Sequence, residues 1–293
     1  MDKIREEKIA CAASLLMAGG KLAAFFWTGS LALAASALDS LMDFFVSGIN
    51  LFSLRVADRP ADADHGYGHG KAEAIAGLFQ SLLILGSAGY LLFVSLHKFS
   101  GGVSLHHLEG GIGVTVVSFA AGLWITRRLT RAAALTGSVV LQTDSLHYSM
   151  DLYTYGGILV SFALIRWTGW GFLDPMMGAL IAITIGYLAV KVGRRAVDEL
   201  MDREISPEVR EAIRAIVERY RPDVLGMHNF KSRQAASKKF VQFHLDMRRD
   251  LAFVEVHELE ERIAGEIRRE LGNIHVTIHA DPEGHGLDQT DLL

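Results

Sequence analysis

Two pairs of potential metal ligands lie within stretches of this chain that are otherwise apolar. Asp39 and Asp43 are four residues apart, and so are His147 and Asp151. Residues at this spacing lie on the same face of a helix. An ionisable side chain at bilayer depth costs several kcal/mol unless it faces a partner or water, so all four groups are functional candidates.

If the two helices pack together, one imidazole and three carboxylates converge near the middle of a membrane. A tetrahedral set of this kind suits Zn²⁺, and oxygen-rich ligation also admits Fe²⁺, Mn²⁺, Cd²⁺ or Co²⁺. Alternatively, the groups form hydrogen bonds between helices or line a pore for another solute. Two complete helical pairs favour the metal site. Asp144, one turn before His147, suits a supporting or entrance position equally well and is left outside the ligand set.

A second group of potential ligands lies in a polar segment between two apolar stretches, which reads DADHGYGHGK over residues 62–71. Asp62, His65 and His69 offer a carboxylate and two imidazoles, and glycine allows the backbone to bring them together. A polar, glycine-rich loop can also carry histidines that bind nothing. The residues alone leave both interpretations open.

The last third of the chain is rich in histidine and holds potential ligands at His228, His244, His257, His275, His279, His285 and Asp281. His244 lies in an alternating, strand-like segment, and His279 and Asp281 end another. These three are plausible ligands because strand ends can converge. The alternative is that several are ordinary surface histidines, which fits His285 best.

One motif resembles a protease signature without completing it. The segment HELEE at 257–261 opens like HExxH, but Glu261 stands where the second histidine is required. An intramembrane hydrolase would also need a general base beside a bound water, and the spare carboxylates near the apolar stretches are Glu73 and Asp144. The chain is therefore predicted not to be an enzyme.

The composition indicates a membrane portion joined to a polar portion. Half of the 293 residues are hydrophobic and 21% are charged, which is too apolar for a soluble domain and too charged for a wholly embedded one. The net charge of -4 gives no basis for nucleic-acid binding. Cys11 is the single cysteine, which excludes an intrachain disulfide and sites built from several thiolates.

Six apolar stretches are long enough to cross the lipid bilayer, since a spanning helix needs about 20 mostly apolar residues. They lie at 9–28, 32–56, 73–96, 111–127, 138–166 and 173–192. The first is interpreted as a retained span rather than a signal peptide. Lysine and arginine gather in alternate connections, which by the positive-inside rule places both termini in the cytoplasm. For Lys21, inside the first span, we expect the stem to snorkel to the outer interface.

The polar C-terminal portion has its own pattern. Ser206 is a predicted N-cap, followed by proline and an acidic residue in the first helical turn. The later elements are predicted at 224–234 and 239–247 (strands), 253–271 (helix) and 274–279 (strand). The order α-β-β-α-β predicts a small ferredoxin-like α+β domain.

The predicted fold is therefore an α-helical membrane protein with six transmembrane helices and a C-terminal cytoplasmic α+β domain. The predicted division places the transmembrane domain at 1–203, the cytoplasmic metal-binding domain at 204–285 and a loose tail at 286–293.

The ordered motifs resemble those of the cation diffusion facilitator family, and especially its bacterial zinc and ferrous-iron effluxers. The matching segments are LDSLMD at 38–43, PADADHGYGHGKAE at 60–73, DSLHYSMD at 144–151, LMDRE at 200–204 and HAD at 279–281. Members of this family are homodimers that export a divalent cation from the cytoplasm in exchange for protons, by alternating access. The absence of a long histidine-rich loop between spans four and five favours a bacterial plasma-membrane exporter.

The resemblance also implies roles for individual residues. It assigns a transport site to Asp39, Asp43, His147 and Asp151, and a loop site to Asp62, His65 and His69. It implies a binuclear cytoplasmic site that joins the two protomers, formed by His228, His244, His257, His279 and Asp281. It further implies an ion pair between Lys71 of one protomer and Asp202 of the other. Ala280 stands where close relatives have glutamine, so the cytoplasmic site departs from the family pattern in detail.

Metal ions and protons compete for the same lone pairs, because a metal ligand must be deprotonated. His147 is the natural proton exchanger, since the ordinary pKa of histidine is nearest to physiological pH. A passive metal channel or a membrane metal sensor would use the same ligands, and both stay as alternatives.

Overall fold

The computed structural model describes residues 2–28, 31–101, 112–170 and 172–284. The chain divides into two compact units, Met1–Val197 and Asp198–Leu293. The predicted tail at 286–293 and His285 lie outside the described residues.

Six long helices build the first unit, and each overlaps one predicted span. They are α1 Lys3–Thr28, α2 Leu31–Ala57, α3 Lys71–Gly101, α4 Ile112–Thr136, α5 Val139–Thr168 and α6 Leu173–Leu200. Most helices extend beyond the predicted apolar stretches, because the backbone hydrogen bonds of a helix can continue into segments with charged side chains. Among the described residues, Ser40–Ala57, Lys71–His97 and Pro175–Leu200 are long and apolar enough to cross a membrane.

The helical unit exposes large apolar side chains and buries several polar side chains beside its apolar core. Large hydrophobic residues are exposed on several helices, as at Leu16, Phe52, Phe93 and Tyr187. Charged or amide side chains are buried within the unit at Glu6, Glu7, Asn50, Glu73, Gln80 and Asp144. This distribution fits a surface that faces lipid and an interior where polar groups find partners.

Lys21 differs from its prediction. The side chain is buried, with 6% of its surface exposed, and Nζ donates a hydrogen bond to Ser40 Oγ at 2.7 Å. The expectation of snorkelling is wrong, because a polar partner inside the unit satisfies the ammonium group.

Gly77 allows α3 to lie close to α5. A Cβ atom at this position would be 2.6 Å from Val139 Cγ1 and 3.2 Å from Thr143 Oγ1. We expect Gly77→Ala to lower the free energy of unfolding by about 1–3 kcal/mol, because the helices must separate to admit the methyl group. Gly86→Ala on the same helix is the matched control, since nothing lies within 4 Å of a Cβ there. Thermal unfolding of the purified protein in detergent measures both, and equal midpoints would contradict the prediction.

The second unit has the predicted α-β-β-α-β order. Its elements are α7 Pro207–Glu218, β1 Val224–Ala235, β2 Lys238–Met247, α8 Phe253–Leu271 and β3 Ile274–Pro282. The sheet has the order β1-β2-β3, in which β1 and β2 are antiparallel and β2 and β3 are parallel. Ser206 is the N-cap residue of α7 and Pro207 begins the helix, as predicted.

Buried and partly buried side chains alternate along β2, which separates core residues from potential metal ligands. Val241, Phe243 and Leu245 are buried against Ile213 of α7 and Ile263 of α8. Successive side chains of a strand point to opposite faces. The residues between them on β2, which include the next potential ligands, therefore lie on the other face of the sheet.

Candidate metal sites

The predicted transport site lies where α2 meets α5 inside the helical unit. His147 Nε2 is 2.8 Å from Asp43 Oδ1, and both side chains are largely buried. Asp39 precedes Asp43 by one turn on α2, and Asp151 follows His147 by one turn on α5. Asp151 is partly buried, and the side chain of Asp39 lies outside the described part of the structure. The helices thus bring together one member of each predicted pair.

A polar path continues from this pair along the same helices. Ser47, one turn after Asp43 on α2, lies 3.2 Å from the hydroxyl of Tyr148, which follows His147 on α5. The same hydroxyl lies 2.7 Å from Ser14 Oγ of α1. The sequence did not single out these hydroxyl groups, because serine and tyrosine are common in apolar helices. They hold α1, α2 and α5 together beside the site.

The loop between α2 and α3 gathers its three predicted ligands. Ligand atoms of Asp62, His65 and His69 lie within 4.8 Å of one another. Asp62 Oδ1 is 3.1 Å from His65 Nδ1, and Asp62 Oδ2 is 3.3 Å from His69 Nε2. Gly68 permits the close turn, since its φ of +83° is a conformation that other residues rarely adopt. The two imidazoles and the carboxylate form a donor set that suits Zn²⁺.

Hydrogen bonds keep the loop carboxylate ionised. The backbone N–H of His65 donates to Asp62 Oδ1 at 2.7 Å, and the backbone N–H of Asp64 donates at 3.1 Å. These bonds, led by that of His65, lower the pKa of Asp62 below its ordinary value because they favour the charged form. Asp62 is therefore in the ligating form at neutral pH.

Three histidines form one row across the sheet of the second unit. His228 on β1 pairs with His244 on β2, which pairs with His279 on β3. Two residues further along, Asp246 pairs with Asp281 on the same face. The strand register therefore concentrates imidazoles and carboxylates on the face opposite the core.

Two histidines of this row and Asp281 are close enough to share a metal ion. Ligand atoms of His228, His244 and Asp281 lie within 4.8 Å of one another. Asp281 Oδ2 is 2.8 Å from His244 Nδ1 and 3.4 Å from His228 Nε2. Asp281 Oδ1 is 3.4 Å from His279 Nε2, although the His279 side chain is mostly exposed. Two imidazoles and one carboxylate leave a fourth position of a tetrahedral zinc site open.

Asp246 adds a carboxylate that the sequence prediction did not include. Its Oδ2 lies 3.3 Å from His228 Nδ1. A Cβ atom at Gly226, its partner on β1, would lie 2.9 Å from the same oxygen, so glycine makes room for the carboxylate. The signal in the sequence was the position of Asp246 two residues after His244, which puts both on one face of a strand.

His257 lies apart from the row in a single protomer. It is exposed on α8 and is not among the three residues whose ligand atoms converge. His257 and His279 both interact with the carboxylate of Glu260, which accepts a hydrogen bond from the backbone N–H of Ala280. Burial raises the pKa of Glu260, and the two histidines oppose this effect.

Lys71 and Asp202, which are predicted to form an ion pair between protomers, lie in different units. Lys71 begins α3 and is partly buried. Asp202 follows α6 with a positive φ of 57°, and its Oδ1 lies 3.4 Å from Arg233 Nη1. The predicted pairing across a dimer stays a prediction.

Both units match models of known protein families. Residues 8–201 match the family model for the cation efflux transmembrane domain, and residues 205–283 match that for the cytoplasmic domain of cation efflux proteins. The cation-efflux pump FieF of Shewanella oneidensis is 37% identical over 262 residues, which are 89% of this chain and 88% of the relative. FieF of Salmonella schwarzengrund is 35% identical over 273 residues, which are 93% of this chain and 90% of the relative.

Two solved structures match a smaller part of the chain. The zinc form of CzrB is 35% identical, and the alignment covers 29% of this chain and 96% of that one, with a TM-score of 0.27. The metal-bound C-terminal domain of the CzcD transporter from Thermotoga maritima is 27% identical over 27% of this chain and 93% of that one, with a TM-score of 0.26.

Proposed function

The chain belongs to the cation efflux, or cation diffusion facilitator, family of multi-pass transporters of the bacterial inner membrane, and from this membership we propose that it exports divalent metal ions in exchange for protons. Zn²⁺ is the proposed principal substrate, with Fe²⁺, Mn²⁺, Cd²⁺ and Co²⁺ as alternatives of the same ligand chemistry. The observation that carries the proposal is the pair formed by His147 and Asp43, 2.8 Å apart inside a helical unit that exposes many large apolar side chains.

This pair supports exchange because a proton and a metal ion compete for the same atoms. His147 Nε2 binds a metal only when its lone pair is free, and protonation turns it into a donor to Asp43. In the proposed cycle, Asp39, Asp43, His147 and Asp151 release protons and take up metal on the cytoplasmic side. The metal leaves on the other side as protons return.

The proposal extends to topology and assembly. We place both termini in the cytoplasm and assign residues 1–203 to the membrane domain, 204–285 to the cytoplasmic domain and 286–293 to a tail. The working unit is a homodimer, in which Lys71 of one protomer pairs with Asp202 of the other. Asp62, His65 and His69 form a second metal site on the cytoplasmic loop.

The cytoplasmic domain is proposed to sense metal. Its proposed ligands are His228, His244, His257, His279 and Asp281, and His257 would join the set through assembly of the dimer. Metal bound there can shift the equilibrium between two conformations of the transporter only to the extent that its affinity for them differs.

The central experiment is metal uptake by proteoliposomes under an imposed pH gradient. With the full-length protein and an acidic lumen, Zn²⁺ should accumulate, and the uptake should fall to background without the gradient or in Asp151→Ala. The same assay with Fe²⁺, Mn²⁺, Cd²⁺ and Co²⁺ ranks the substrates. Metal flux that needs Asp151 but no gradient would identify a passive channel. Accumulation independent of both would refute the proposal.

The sensor role makes a separate prediction. Replacing both His244 and Asp281 with alanine should weaken zinc binding to the cytoplasmic site by about 100-fold, since two of its ligands are lost. The zinc-induced rise in the unfolding temperature of this domain should shrink accordingly, and transport should lose its response to cytoplasmic zinc. His275→Ala is the control, because His275 lies on β3 with its ring beside Phe240 and outside the ligand row. Transport that responds equally in the double variant would contradict a sensor role.

A further inference from the structure

Two carboxyl groups in the helical unit are buried without an ion pair to lysine or arginine in the described part of the chain. They are Glu7 on α1 and Asp144 on α5, each with 0% of its surface exposed. Neither oxygen of Glu7, nor Oδ2 of Asp144, forms a hydrogen bond of good geometry among the described residues, although the Asn50 amide is a neighbour of Glu7. Asp144 is nevertheless the strongest electrostatic neighbour of Glu7. The two carboxyl groups are close enough to interact directly, and as two carboxylates they have no donor hydrogen to place between them.

Two other buried carboxylates of this unit, Glu6 and Glu73, each have a cationic partner. Glu6 accepts hydrogen bonds from Arg128 Nε at 2.7 Å and Nη2 at 2.8 Å. Glu73 forms an ion pair with Lys3 and accepts a hydrogen bond from Ser138 Oγ at 2.5 Å. In both cases the fold supplies a lysine or arginine partner for the buried carboxylate. The pair of Glu7 and Asp144 has no such ion pair in the part of the chain that is described.

Neutral amides hold one side of the pair. Asn50 Nδ2 donates to Asp144 Oδ1 at 3.0 Å, and Gln80 Nε2 donates to the same oxygen at 3.1 Å. Asn50 Nδ2 also lies 3.1 Å from Gln80 Oε1, so α2, α3 and α5 are linked. Oδ1 is thus fixed as an acceptor, and Oδ2 is left to face Glu7. One proton between the two carboxyl groups would provide the missing donor and remove one negative charge from the interior.

The other charged and titratable groups near the pair come from three helices. They are Cys11 on α1, Asp43 and Arg55 on α2, and His147 and Tyr148 on α5, while α3 contributes the neutral Gln80. Arg55 interacts with Cys11 and not with either carboxyl group by an ion pair in the described structure. His147 acts on Asp144 as a positive charge only when it is protonated, which metal binding at the transport site excludes. A proton shared by Glu7 and Asp144 is the counter-charge that does not use a proposed metal ligand.

We propose that Glu7 and Asp144 share one proton and form a proton-binding site beside the transport site. Asp144 precedes His147 by three residues, which is about 4.5 Å along the helix axis. A divalent cation at the transport site would raise the local positive potential and favour release of the shared proton. This coupling rests on the proposed antiport, whereas the existence of the shared proton does not.

The first test is infrared spectroscopy of the full-length protein in lipid at neutral pH. A buried protonated carboxyl group has a C=O stretch separate from that of carboxylates. We expect this band in the wild type and its loss in Glu7→Gln and in Asp144→Asn. Glu73→Gln is the matched control, because Glu73 is equally buried but ion-paired, and it should leave the band unchanged. A band that persists in both pair variants overturns the proposal, whether or not the protein transports metal.

A second measurement tests the coupling between the shared proton and metal binding. The unfolding temperature of the variant shows whether it is folded. Zinc binding in weakly buffered solution should release about one proton fewer per protomer from Glu7→Gln than from the wild type. Glutamine keeps the volume of the side chain and can donate to Asp144 Oδ2, so this variant should unfold at a temperature no lower than the wild type. Equal proton release by the two proteins, with the proton-driven uptake intact, would show that the pair is not coupled to transport and overturn that half of the proposal. Loss of gradient-driven uptake in the wild type would refute the antiport and leave the infrared result to decide the proton site.

Discussion

Replacing Asp43 with asparagine should lower the rate of zinc transport by about 100-fold or more, since removing even a group that only supports a metal ligand costs 10–100-fold. The side chain keeps its size, but the charge that faces His147 Nε2 at 2.8 Å is lost. A neutral amide is a weaker ligand for a divalent cation and gives protonated His147 no counter-charge. The initial rate of zinc uptake into proteoliposomes under a pH gradient measures the effect.

Ser47→Ala provides the control for this substitution. Ser47 lies one turn further along α2 and contacts the hydroxyl of Tyr148. It offers no carboxylate, so we expect its loss to change transport much less than Asp43→Asn does. Similar rates in the two variants would mean that the polar interior as a whole, and not the Asp43–His147 pair, supports transport.

Replacing His147 with aspartate should change which metal is carried. The site would then consist of carboxylates alone, and oxygen ligands suit Mn²⁺ and Cd²⁺ relative to Zn²⁺ better than a set that contains imidazole. We expect the preference for zinc in a competition assay to fall by about 10-fold, which corresponds to about 1.4 kcal/mol. The substitution also removes the imidazole, so the dependence of transport on pH should move toward the acidic range in which carboxylates titrate.

The test of selectivity is direct competition between zinc and a second metal during uptake. His97→Asp is a suitable control because His97 lies on α3 with its ring stacked on Phe93 and is exposed. Selectivity that stays unchanged in the His147 variant would remove its proposed role as the ligand that favours zinc. A change in rate without a change in selectivity would assign His147 to proton exchange alone.

The local pattern of this chain predicted most of its secondary structure. Helical and strand periodicities are short-range properties, so the six long helices and the order α-β-β-α-β followed from residues near one another in sequence. Helix ends were less well predicted, since α4 continues to Thr136 beyond the apolar stretch that ends at 127. The environment of Lys21 was wrongly predicted, because hydropathy does not show whether a polar partner such as Ser40 lies inside the helical unit.

Contacts between distant segments required the tertiary structure. The meeting of His147 with Asp43 joins two helices, and the strand register aligns His228, His244 and His279 in one row. Asp246 joins that row only because Gly226 leaves space on the neighbouring strand. Such proximity depends on packing and register, which no single segment encodes.

The sequence by itself determined the chemistry of this protein: two pairs of ligands at helical spacing, no set of thiolates, apolar stretches long enough to span a membrane, and a histidine-rich α+β domain. These follow from residue type and short-range spacing. Only the tertiary structure decided which groups face one another. It set His147 against Asp43, and it enclosed Glu7 with Asp144 without an ion pair to lysine or arginine in the described part of the unit. The physical reason is that the energy of a buried charge depends on its neighbours in space, and those neighbours come from helices far apart in the chain.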